Sequence, residues 1–345
     1  MCLTGSQKSC IIISTELAEP LLPQGSMRNM ASILFWGKDF AMNTKTNNVF
    51  SLNKGNTKPF LTIDEQLDLL ISRGLIVNNH ENSLNILSRT NYYRFSGYSL
   101  TLRKNNVFDE NVTFDNIYEL YRFDDAFRKI IFQHSQYVEI ALRSYITYEF
   151  SNKYGALGYM DGNNFSNKFY HLDFLNKLQE EIEKSDDVFV AHYKNDFNCV
   201  FPLWVAVECT TFGNLSKMYK NLKPEDRTLI SKKYFGVNRE YLENWLQAAV
   251  FARNVSAHGG RFYNRILRTV PVKLPPKYSR SVDGQRAFAY TYAIYKMQPT
   301  KALASSMRKA LSDIWSSYSF ALEKHVGFPI DWMQILIDSE NKKAF

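Results

Sequence analysis

The sequence predicts an all-α protein, on three observations. A stretch of about forty residues ending before Gly155 keeps one 3.6-residue apolar period and contains no Pro or Gly. Helix-start signals recur along the chain, among them Thr62 with Glu65 and the prolines Pro202 and Pro224. Strand-like patterning is confined to a short pair near residues 99–108. The 345 residues are 45% hydrophobic and include 25 Phe and 21 Tyr, enough to bury a substantial core.

Residues 1–57 carry scattered Gly, Pro, Ser, Asn and Thr with little periodicity, and read as a poorly ordered tail. Met27, Met30 and Met42 lie within it, so the translation start is left open. From residue 58 the elements follow in order. Thr62 and Glu65 form a capping box ahead of an apolar face of Leu67, Leu70 and Ile71, which Gly74 ends. A short helix over 81–89 precedes the aromatic segment 91–98. The clearest helix spans 114–154. It carries Leu120, Phe123, Phe127, Ile131, His134, Val138 and Leu142 on one face, and is read as unbroken at Asp124. Further helices are expected over 172–184, 202–218 with a bend at Gly213, 224–234, 239–258, 284–296 and 300–324. This divides the chain into the tail 1–57, a helical domain 58–268, and a basic loop with helical extension 269–345.

The formal net charge of +8 points to an anionic partner, of which nucleic acid is the commonest. Cys2, Cys10, Cys199 and Cys209 include no C-x-x-C pair and are too few for a disulfide framework, which fits a reducing cytoplasm. No apolar run is long enough for a membrane span, and no export signal is read. Walker, nucleophile-elbow and zinc spacings are absent. The acidic cluster at 180–187 reads as a solvated face, so no metal or other cofactor is expected.

The segment 253–261, Arg-Asn-Val-Ser-Ala-His-Gly-Gly-Arg, concentrates a guanidinium, an amide and an imidazole at the end of an apolar helix. This chemistry suits RNA. A 2′-hydroxyl can attack the adjacent phosphate when a base takes its proton and an acid protonates the leaving oxygen. Histidine serves near neutral pH, and arginine grips the phosphate. Arg253, Asn254 and His258 are the candidate catalytic residues. Asn254 and His258 share a helix face, whereas Arg253 lies ~140° away around the axis. Three Arg–His pairs have comparable spacing: Arg73 with His80, Arg128 with His134, and Arg253 with His258. Spacing alone does not choose among them. His134 falls on the apolar face of the long helix and reads as a core residue, and His80 sits in a polar turn. Only His258 is followed by two glycines that let another chain approach. Arg94, Arg261, Arg265, Arg268, Lys273 and Lys277 are candidate RNA-backbone contacts; seven basic residues and one acidic residue lie between 261 and 286. Glu139 and Arg143, an i, i+4 pair, read either as support for the site or as an ordinary helix ion pair.

Residues 58–268 resemble the Abi family of bacterial abortive-infection proteins (the AbiD and AbiF group) within the HEPN superfamily. Five blocks carry the resemblance: Lys58-Pro59; the segment 91–98; the segments 120–124 and 138–143; the segments 202–208 and 212–216; and 253–265. The resemblance implies a HEPN-like helical bundle with added N- and C-terminal helices. It also implies an R-x4-H ribonuclease motif at Arg253 and His258, normally joined across a homodimer, a role in phage defence, and for some members association with a small structured RNA. The expected activity is a metal-independent endoribonuclease, with a non-catalytic RNA-binding protein as the alternative. An antitoxin or inhibitor is left unidentified. Two positions depart from the family pattern: Ser256 stands where Cys is frequent, and Gly259 where a second His is frequent.

Overall fold

A computed structural model describes residues 58–340; the expected tail 1–57 lies outside them. The chain is all-α, with one two-stranded hairpin among the described residues. α1 (Ile63–Ser72) opens on the expected capping box: the Thr62 hydroxyl accepts from the Glu65 N–H, and the Glu65 carboxylate accepts from the Thr62 N–H. α2 (His80–Thr90) and α3 (Tyr92–Ser96) follow. The hairpin β1 (Arg103–Lys104) and β2 (Val107–Phe108) falls inside the expected region. Asn105 and Asn106 both take positive φ in its turn, as a two-residue hairpin requires.

α4 (Phe114–Tyr154) is the expected long helix, unbroken over 41 residues and about 60 Å long. Thr113 caps it together with Asn116. Leu120, Phe123, Phe127, Ile131, Val138 and Leu142 are fully buried along one face. His134 belongs to that core. Its Nδ1 meets Gln298 Oε1 at 3.1 Å, and burial holds its pKa below the ordinary histidine value.

α5 (Lys168–Lys184) starts earlier than its periodicity suggests, because the Asn167 side chain caps the Phe169 and Tyr170 amides. α6 (Val188–Asp196) was not anticipated. The single helix expected over 202–218 is in fact two. α7 (Leu203–Ala206) runs into a tight turn at Val207–Cys209, Thr210 is extended, and α8 (Phe212–Asn221) begins afresh. The break lies at Thr210 and Thr211, where the Thr211 hydroxyl accepts the Asn214 N–H, and Gly213 sits inside the first turn of α8.

α9 (Pro224–Phe235) and α10 (Arg239–Ala257) follow close to their expected bounds. α11 (Ala287–Lys296) begins after a turn in which Asp283 accepts from Gln285, and it buries all ten of its residues. α12 (Lys301–Ser317) ends short of the expected Lys324: the chain turns extended at Tyr318, and the Glu119 carboxylate accepts the Phe320 N–H at 2.8 Å. α13 (Glu323–Val326) and α14 (Trp332–Glu340) close the described chain. α4 is the spine. α10 packs along it more extensively than any other pair of elements, with α11 and α12 beside them. No helix among the described residues is long and apolar enough to cross a membrane.

Candidate nucleic-acid interface at the end of α10

α10 ends at Ala257, one residue before the candidate imidazole, and His258 is its C-cap. The Gly259 N–H donates to the Ser256 carbonyl at 3.1 Å and the Gly260 N–H to the Val255 carbonyl at 2.7 Å. This paired closure, with Gly259 at φ +64°, is a Schellman motif. It gives the chain a backbone reason for glycine at position 259. A side chain here is strained by the left-handed backbone, and its Cβ lies 3.2 Å from the Arg94 guanidinium. Because the helix stops, Arg261 and Arg265 do not continue the Asn254–His258 stripe. The His258 ring is exposed and makes no hydrogen bond among the described residues.

Arg253 faces elsewhere. Its guanidinium lies 5.7 Å over the Phe132 ring of α4 and donates to Asn254 Oδ1 at 3.2 Å. Beneath it Glu139 accepts from Arg143 at 2.7 Å, and Arg143 also donates to the Thr210 carbonyl at 2.7 Å. Burial raises the Glu139 carboxyl above the usual carboxylate range, against the opposing pull of Arg143 and Arg253. Glu139 and Arg143 therefore form the expected ion pair, and the charge of Arg253 acts on the same carboxylate.

On the other side of the helix end, the glycine turn borders an open cleft of about 780 Å³. Arg94, Arg261 and Arg265 line it, as does Arg103 from β1. No carboxylate lines the cleft, and none of the four arginines pairs with one among the described residues. Arg94 Nη1 donates to the Gly259 carbonyl, tying α3 to the turn. Arg261 lies 5.7 Å over the Tyr98 ring, and its Nη1 sits where a side chain on Gly97 would fall, 2.8 Å from that position. Gly97 leaves the room that Arg261 occupies. Arg268 and Lys273 are exposed but do not line the cleft. Lys277 points away from it, bridging to Asp338 at 2.7 Å beside a second, smaller cavity.

The cleft wall is anchored by a carboxylate that sequence reading did not place in the site. Asp124, at 0% exposure, accepts the Tyr263 N–H at 2.8 Å and the Phe262 N–H at 3.1 Å. Its second oxygen accepts from Tyr98 and from Arg128, both at 2.8 Å. One buried carboxylate thus joins α4, the segment before β1, and the strand of chain leaving the glycine turn. Burial raises its pKa against the pull of those four donors. Arg103 was also missed. It is placed by the hairpin turn, which leaves no mark in charge spacing along the chain, whereas Asp124 stood out only as a polar residue on an apolar helix.

A family model described as Abi-like protein matches residues 85–264, just over half of the chain. The match spans α4, α10, the glycine turn and the Asp124 partners. No curated protein matches the chain, and no solved structure does.

Proposed function

The chain belongs to the Abi-like family, and from that premise we propose that it is a metal-independent endoribonuclease of abortive-infection phage defence. The observation that carries this reading is an exposed, unpartnered imidazole, His258, fixed at a helix end, with the glycine turn that follows it lining a cleft of four arginines that have no carboxylate partner. Guanidiniums without counter-ions attract a phosphodiester backbone and stabilise charge developing on a phosphate. The imidazole takes the proton of a 2′-hydroxyl or returns one to the leaving group. The 2′-oxygen attacks the neighbouring phosphorus, the bond to the 5′-oxygen breaks, and a cyclic phosphate and a 5′-hydroxyl result.

Arg253 and His258 stand on different faces of α10, so their joint action calls for a second copy of the chain. Ile140, which lies between Glu139 and Arg143 in sequence, and Tyr148, beyond them, are 61% and 65% exposed on α4 and supply apolar surface for such a homodimer. Arg253 then grips the scissile phosphate, Asn254 orients it, and Glu139 with Arg143 holds Arg253 in place. The alternative, a protein that grips a small structured RNA without cutting it, draws on the same arginine cleft.

The deciding assay incubates the purified chain and its His258→Ala variant with RNA in the presence of a chelator. Cleavage by the parent and loss of at least about a hundredfold in the variant is the expected result, the scale of a lost general acid–base. Absence of cleavage, or equal cleavage by both, overturns the nuclease reading. RNA that co-purifies uncut with both chains favours the alternative.

A further inference from the structure

We propose that the arginine cleft takes an unpaired stretch of RNA, with phosphates on Arg103, Arg261 and Arg265 and a base stacked on Tyr93. This rests on the reading that the chain binds RNA and goes further, in that it names the strandedness of the ligand and the four residues that recognise it. Tyr93 is 87% exposed although it belongs to a helix whose neighbour Phe95 is wholly buried. An aromatic ring left in water at the rim of a cleft that holds four guanidiniums without a carboxylate partner is a stacking platform beside a backbone track. Leu100, 49% exposed on the same wall, adds apolar surface against which a base can lie.

The composition of the cleft decides between single and double strands. A duplex keeps its bases stacked on one another and offers a protein its phosphates and 2′-hydroxyls. Lysines and arginines suffice for that, and an exposed tyrosine has nothing to stack upon. An unpaired base does reach the ring. Arg94 adds the link to chemistry. It lines the cleft and donates to the Gly259 carbonyl, so the strand in the cleft lies against the turn that presents His258.

The experiment uses the full chain and a single-stranded 2′-O-methyl RNA decamer carrying 2-aminopurine, a probe that cannot be cut by 2′-oxygen attack. Tyr93→Ala is expected to weaken binding about tenfold and to abolish the stacking quench of 2-aminopurine, while Tyr93→Phe keeps both. Arg103→Gln and Arg265→Gln, both on exposed or half-exposed side chains, each lower the slope of log affinity against log salt by about 0.7. The cleft is overturned if the parent does not bind the decamer, if a duplex of the same length binds as tightly, or if Tyr93→Ala, Arg103→Gln and Arg265→Gln all bind as the parent does with an unchanged slope. A chain that binds the decamer through Tyr93 but leaves ordinary RNA uncut keeps the cleft and drops the nuclease. A chain that cuts RNA but ignores Tyr93 drops the cleft alone.

Discussion

The Asp124 carboxylate accepts the Tyr263 backbone N–H at 2.8 Å across 139 residues of sequence. It is the point at which the long helix α4 holds the chain that leaves the glycine turn. Asp124→Ala removes the acceptor for two backbone amides, a tyrosine hydroxyl and a guanidinium, all buried. Arg128 keeps its second partner Asp125 at 2.9 Å, but the buried pair is broken and the two amides and the hydroxyl lose their acceptor, at an expected cost of about 3–5 kcal/mol. Chemical denaturation followed by circular dichroism measures it. A midpoint equal to that of the parent shows that the latch does not hold the fold.

Gly259 combines a φ of +64° with a close approach to Arg94. Gly259→Ala is expected to destabilise the chain by about 1–2 kcal/mol through the left-handed backbone, with a further loss from displacing the guanidinium. Gly259→Asn, which tolerates that region better, should recover part of the stability. Equal melting temperatures for the parent and the alanine variant contradict this.

Glu139 is nearly buried and holds Arg143 at 2.7 Å. The buried Nε atoms of Arg143 and Arg253 have no hydrogen-bond partner, and the Glu139 carboxylate bonds Arg143 while the charge of Arg253 acts on it. Glu139→Ala is expected to lower stability by about 1.5–3 kcal/mol, the range for hydrogen bonds to charged groups. Glu139→Gln should lose less, because its amide oxygen still accepts from Arg143. Thermal melts of the three chains give the order, and a reversed order refutes the pairing.

His134 and His171 are both held below the ordinary histidine value by burial. The unfolded chain takes up a proton on each near pH 6.5 while the folded chain keeps them neutral. The unfolded state therefore binds more protons, and stability falls as pH drops through about 6.5 towards the depressed folded values. The slope is at most about 1.4 kcal/mol per histidine per pH unit. Melts at about pH 7.5 and about pH 5.5 should show the lower midpoint in acid. An equal or higher midpoint there removes the two buried histidines as the cause.

The elements that could be read from sequence were those that local physics specifies. α4 carries a sustained period and α1 a reciprocal cap, so both appear where expected. The helix read across 202–218 failed because its break comes from a threonine cap at Thr211, a signal present in the spacing to Asn214 and outweighed by the apolar residues around it. The site divided in the same way. Arg253, Asn254 and His258 were visible as chemistry on one helix, and the structure separates Arg253 from His258 as helix geometry requires. Arg94, Arg261 and Arg265 meet in one cleft only because Arg94 reaches the Gly259 carbonyl across 165 residues of sequence, and Arg103 joins them through a hairpin. Such long-range meetings have no period to reveal them.

α4 also acts as a ruler. Asp124 holds the cleft wall near its first third, and Glu139 with Arg143 lies under Arg253 farther along, ~22 Å away at the helical rise. Both marks are cut on one rigid rod. A substitution between them changes only local packing. Inserting or deleting a single residue turns everything downstream by ~100° and shifts it by ~1.5 Å, swinging Glu139 off the Arg253 side while Asp124 stays in place. Divergence among chains built this way should therefore leave the length of the 125–138 segment unchanged and gather its insertions in the loops beyond either end of the helix.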